Sequence, residues 1–190
     1  PDRPGFDWVY NFLCDLLPFR AIGGQPNLAA ALLTRAAMVL VLLFGLGSFW
    51  TAVPRLFAPD ATRLRRAVPW LGWLSIAGLV GVPFTPSLSA SVLHGWIVVA
   101  EGGMALGAGA LALWGLAGGG LAPRWLVGLG FLALVVAGAD LALYLDHFLR
   151  HAPLCAALPA GQKPTAALVL TFVWLGVERA AGTAAVAARS

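Results

Sequence analysis

Long apolar runs, separated by short polar or proline- and glycine-rich breaks, recur five times along this chain. They cover residues 27–53, 67–84, 90–116, 125–149 and 165–185. A hydrophobic run of about 18 residues or more with few charges is the pattern of a helix that crosses a bilayer. The breaks carry the expected punctuation. Pro26 and Pro54 bracket the first run, Pro83 and Pro86 bound the turn after the second, and Gly118, Gly119, Gly120 and Pro123 follow the third. The fold expected is an all-α polytopic transmembrane helical bundle occupying residues 27–190. In the third run Gly103 and Gly107 form a small-xxx-small pair, which lets helix backbones approach closely.

Residues 1–26 differ in character. Asp2, Arg3, Asp7, Asp15 and Arg20 alternate with Trp8, Tyr10, Phe12, Leu13, Leu16 and Leu17. That mixture predicts an interfacial amphipathic segment, with a short helix over 6–17 lying where Trp and Tyr are comfortable.

Composition agrees with lipid as the solvent. Of 190 residues, 60% are hydrophobic and 11% charged, which a water-soluble domain of this length could not bury. The formal charge of +4 needs no nucleic acid as partner, because no basic stripe interleaved with aromatics appears. Its arginines cluster instead. Arg55, Arg63, Arg65 and Arg66 face one acid, Asp60, in the loop 54–66. The positive-inside rule puts that loop in the cytoplasm, as expected for a bacterial inner membrane protein, and the loop 150–164 outside. Arg35, early in the first run, reads as an interface anchor or as a partner for Asp140 or Glu101.

Candidate chemistry concentrates in two places. In DLALYLDHFLRH, residues 140–151, Asp140, His147 and His151 are spaced by seven and four and share a helical face. Asp140 sits about 10 Å deeper than His147 at the helical rise. His94 and Glu101, again seven apart, repeat the scheme. The alternation of spans brings His94, His147 and His151 to one end of the bundle. Neutral imidazoles with carboxylates behind them suit zinc, which could activate water for hydrolysis of a lipid amide or ester. Histidines resting in headgroups are the plainer alternative. Intramembrane carboxylates are costly, so Glu101 and Asp140 should face the interior as second shell, general base, proton relay or structural hydrogen-bonding groups. Cys14 and Cys155 reach the same outer end. They could form a disulfide tying the N-terminal segment to the fourth loop, or be two unrelated thiols.

The opening GFDWVYNFLCDLLPFRAIGGQPN, with Asn11, Asp15 and Leu16 in NFLCDL, resembles an uncharacterised bacterial family of six-helix membrane proteins, a domain of unknown function. The stretch VPFTPSLSASVLHG, with His94 as the matching histidine, and QKPTAALVL resemble its later elements. Cys14 stands where that family often has serine, and Thr85 where it often has an acid. This resemblance implies a further N-terminal helix before Pro1 and implies no activity. A more distant resemblance is to the alkaline ceramidase and progestin-adipoQ receptor group of membrane hydrolases. There, one early histidine and a late H-x-x-x-H pair bind the metal, positions matched here by His94, His147 and His151. Ala90 occupies that group's serine position, and the H-x-x-x-H helix here is not the last.

Three functions follow as expectations. The first is a structural or accessory component packing with partner membrane proteins. The second is a zinc-dependent lipid hydrolase using His94, His147 and His151 with Asp140 or Glu101, and the third a proton-coupled carrier.

Overall fold

The computed structural model describes residues 7, 9–21, 24–85, 91–119, 121–150 and 156–187. Among them the chain is helical apart from turns and one isolated bridge between Arg20 and Pro26. Five helices are long and apolar enough to cross a membrane. They are α1 (Leu28–Leu56), α2 (Thr62–Leu79), α3 (Ser91–Gly119), α4 (Arg124–Arg150) and α5 (Ala157–Ala187). The five apolar stretches run 23 to 29 residues. At a rise of about 1.5 Å per residue, each matches or exceeds a hydrocarbon core of about 30 Å.

Two boundaries differ from the sequence expectation. α2 begins at Thr62, so Arg63, Arg65 and Arg66 lie in its opening turns rather than in a loop. The reason is local: Arg65 turns back and donates to the carbonyls of Phe57 (2.7 Å) and Ala58 (3.2 Å), satisfying the frayed end of α1. α5 begins at Ala157, about two turns before Pro164, so much of the expected loop 150–164 is helix. Pro164 lies inside the helix, where it has no N–H to offer the Ala160 carbonyl, and Thr165 beside it donates its hydroxyl to the Gly161 carbonyl (2.8 Å).

The helices form a ring. α2 packs on α3, α3 on α4, α4 on α5, and the second half of α1 closes the circle against α5 and α2. α1 is irregular where it turns inward. Its α-helix widens to a π-helical segment over Val41–Leu46, resumes over Gly47–Ala52 and tightens to a 3-10 turn over Val53–Leu56. Beyond the π segment its buried side changes. Up to Leu40 only Ala31 is buried, whereas Gly47, Phe49, Trp50, Val53, Pro54 and Leu56 are buried after it. Trp50 presses on Gly72 of α2, where a β-carbon would collide with the indole, so that pair sets the register of the two helices.

The bundle has two ends, named here by their residues. At the arginine end, Leu56, Phe57, Val68, Leu116 and Leu126 are at most 1% exposed and form a layer of buried apolar side chains. At the histidine end the first half of α1 stands off from α5, and residues 9–21 pack there. The helix expected over 6–17 is reduced there to a 3-10 turn at Leu13–Leu16, which contacts both α1 and α5. Its amphipathic pattern serves docking onto protein: Leu17 is fully buried and Leu13 to Leu16 half-buried. Asn27 holds the return by donating to the carbonyls of Leu16 and Pro18. Arg35 donates to Leu17 (3.0 Å) and lies 4.3 Å from the centre of the Phe19 ring. It therefore fastens the segment to α1 and pairs with neither Asp140 nor Glu101.

Candidate functional site at the histidine end

The docked segment brings polar groups from four elements together. Asp15 folds over the 3-10 turn, its carboxylate accepting from the Phe12 N–H (2.8 Å) and from Asn11 Nδ2 (3.4 Å). From α5, Gln162 accepts the Leu13 N–H (2.8 Å), and the Lys163 ammonium donates to the carbonyls of Asn11 and Pro159. From α4, Tyr144 meets the Phe12 ring edge-on with centroids 6.5 Å apart and stacks on Phe148 at 6.2 Å. From α3 comes His94. Asp15 lies within electrostatic range of both His94 and Lys163.

His94 is 3% exposed and its Nδ1 sits 2.6 Å from the Thr85 carbonyl oxygen. A carbonyl only accepts, so Nδ1 carries the proton, and the ring when neutral presents Nε2 as a lone pair. Phe148 packs flat against the backbone at Gly95, which places His147 at the same level of the bundle as His94. His147 is half-buried. His151 lies outside the described residues, so the structure brings two of the three proposed metal ligands to one level and does not address the third. Among the described residues, no three of His, Cys, Asp and Glu converge as a ligand group.

Cys14 is a free thiol in this structure, and Cys155, its suggested partner, lies outside the described residues. Burial, and then the neighbouring Asp15 carboxylate, push the Cys14 thiol up to about 12. A thiol so far from ionisation is not a nucleophile at neutral pH.

The two deeper acids sit at matching depth, because Gly102 of α3 contacts Leu141 of α4. They face different neighbours. Glu101 is 1% exposed and lies against the backbone of α2, with Oε1 2.9 Å from where a β-carbon on Gly78 would stand. Neither of its carboxyl oxygens has a hydrogen-bond partner in the protein. Asp140 is half-buried and lies against α5, its Oδ1 3.6 Å from the β-carbon position of Gly161. Glycine at 78 is what lets the Glu101 carboxyl group into its helix contact, whereas a β-carbon at 161 would meet Asp140 at ordinary contact distance.

Between these acids and the arginine end lies a cavity of about 180 Å³. α1, α3, α4 and α5 line it with Leu46, Phe49, Trp50, Ala105, Leu113, Ala133, Ala137 and Phe172, among others, and it is partly open at the side. Trp50 Nε1 is buried without a partner.

Sequence reasoning identified Glu101, Asp140 and His94. It missed Gln162 and Lys163, which it placed in a loop, and Tyr144, to which it gave no role. The polar pair before Pro164, at the start of an otherwise apolar run, was the available signal. Comparison with protein-family models, curated proteins and solved structures finds no match for this chain.

Proposed function

We propose that this chain is an integral membrane component that works by packing against partner membrane proteins, with its arginine end in the cytoplasm. One observation carries the reading. On α3, Gly103 and Gly107 are exposed and have open space above them, with Ala100 and Ala110 extending the same exposed face. The chain's other close helix contacts use different glycines, so this strip is not consumed by the internal fold. A strip of small residues facing lipid lets a second helix approach until backbones touch, which is the principal source of helix association where no hydrophobic force separates protein from lipid. The test is the pair Gly103→Leu and Gly107→Leu. Purified in a mild detergent, the native chain should carry its partner at fixed ratio. The double variant should remain folded and lose it. An unchanged complex, or a native chain that is monomeric throughout, defeats the proposal.

A second reading, a zinc-dependent hydrolase of lipid amides or esters at the histidine end, is supported by the His94 tautomer. Metal-binding histidines commonly donate one ring N–H to a carbonyl and ligate through the other nitrogen, the arrangement His94 has with Thr85. Such a zinc would supply an activated water. His94 and His147 would hold it, with His151 as third ligand, and Asp15 would orient the site. Elemental analysis beside His94→Ala checks this: about one zinc per chain, lost in the variant, supports it, and an empty protein purified without chelator ends it.

A further inference from the structure

We infer that the outward face of α2 binds an anionic phospholipid, with its phosphate at Arg63 and Arg66, its glycerol level with Trp70 and an acyl chain along Leu74 and Ala77. The inference is independent of partner packing and of zinc. It rests on the order of residues along that face, on their depth and on the charge of this end of the bundle.

Helical spacing aligns Arg63, Arg66, Trp70, Leu74 and Ala77 along one side of α2, with Trp73 at its edge. Each is exposed, Trp70 to 78%. The opposite side, with Val68, Gly72, Ser75 and Ile76, is buried in the bundle. Arg65, between the two outward arginines in sequence, is already engaged with the carbonyls of Phe57 and Ala58. Arg63 and Arg66 have neither a hydrogen bond nor an ion pair among the described residues. Two cations, then an indole, then aliphatic side chains follow the same order as phosphate, ester and hydrocarbon in a phospholipid.

Depth brings a head group to the arginines. The stretch Thr62–Phe84, at 23 residues, is the shortest of the five spans, and both arginines lie inside it. From Arg66 to Phe84 the helical rise gives about 27 Å, less than a hydrocarbon core of about 30 Å. The Arg66 backbone therefore stands at the edge of the hydrocarbon, and its side chain has to reach up to the phosphate level. A guanidinium there offers a fork of donors that fits a phosphate, and no acid of the described residues competes for it. Charge then selects the lipid. Arg55, Arg63, Arg66, Arg124 and Arg179 are exposed at this end, against the exposed acids Asp60 and Glu178. A zwitterionic head brings its own cation and leaves that excess standing, whereas an anionic head offsets it. Held there, the lipid fixes the depth of the arginine end.

The experiment is native mass spectrometry of the intact chain released from micelles that carry phosphatidylglycerol and phosphatidylcholine in equal amount. About tenfold more phosphatidylglycerol should stay bound, the factor expected when two arginines meet a net negative head. Arg63→Gln with Arg66→Gln should abolish the preference. Arg124→Gln with Arg179→Gln removes the same charge from the same end on other helices and should leave the preference standing. A second readout needs no arginine variant. In vesicles of the two lipids, bromine on the acyl chains of phosphatidylglycerol should quench tryptophan fluorescence more than bromine on those of phosphatidylcholine. Trp70→Phe should remove most of that difference. Equal retention of the two lipids by the native chain overturns the proposal, and is the result expected if another protein covers this face. A preference that survives in the folded variant of Arg63 and Arg66, one that falls equally with Arg124 and Arg179, or a quenching difference that Trp70→Phe leaves intact overturns it too.

Discussion

The two ends of this bundle are built on opposite principles. At the arginine end large apolar side chains are buried together, and Arg65 closes the frayed end of α1. At the histidine end side chains of α3, α5 and the N-terminal segment hydrogen-bond to backbone while α4 adds aromatic contacts, and two carboxyl groups lie below them. The first arrangement holds helices together irrespective of what is bound. The second spends stability on groups a purely structural bundle would omit. Function should therefore concentrate at the histidine end and stability at the arginine end, and substitutions can separate the two.

The largest effect is expected at the arginine end. Phe57 is fully buried and fits against Gly115, where a β-carbon would come within 2.8 Å of the ring. Phe57→Ala leaves a void among α1, α2 and α3. The cost should be about 3 kcal/mol, the low end for such truncations, because helices in lipid gain packing but little transfer energy. Thermal unfolding in detergent would show the drop. A change below about 1 kcal/mol would mean this end is not the clamp its burial suggests.

Glu101→Leu should act in the reverse direction. A buried carboxyl without partners costs about 1–3 kcal/mol relative to an apolar group of similar size, so the variant should unfold at higher temperature. If it destabilises instead, Glu101 has a donor that the protein alone does not reveal, and the contrast between the ends is weaker than argued.

A smaller effect is expected at the docked segment. Lys163 holds the backbone at Asn11, and Lys163→Met keeps the apolar stem while removing the donor. The cost should be about 1–2 kcal/mol, confined to residues 7–27. Hydrogen exchange should rise at Asn11 and Leu13 with little change at Phe57. Uniform acceleration along the chain would show that the segment and the bundle unfold as one unit.

The sequence made the bundle legible because runs of apolar residues longer than a bilayer leave little choice of structure. It also placed Glu101 and Asp140 inside, since a lone acid in such a run has nowhere else to lie. What it could not display was how neighbouring helices meet. Gly78 opposite Glu101 and Gly161 opposite Asp140 are separated from the acids by many residues, and only the packed ring pairs them. The N-terminal segment shows the same limit: its alternation of polar and apolar residues predicted a helix, whereas Leu13–Leu16 form a 3-10 turn in a segment tied down by Gln162, Lys163 and Arg35. The glycine pair at 103 and 107 carried the right motif for close packing, yet within this chain it faces outward.

Cys14 provides the finest probe of that docked segment. In the unfolded chain its thiol would ionise near the ordinary value of 9.0, whereas in place it stays protonated up to about 12. Raising the pH from 9 toward 12 therefore favours the unfolded segment, because the undocked thiol sheds its proton first and the docked one holds it. Below pH 9 this contribution is constant. Alkylation by iodoacetamide at pH 8 should be slow compared with a free thiol, and it should speed up steeply above pH 9 as docking weakens. Asp15→Asn removes the second cause of the shift and should bring the onset of reactivity down in pH, with burial keeping it above that of an exposed cysteine. Rapid alkylation of the native chain at pH 8 would mean residues 7–17 leave the bundle readily, and the polar cluster around Asp15 would then be assembled only part of the time.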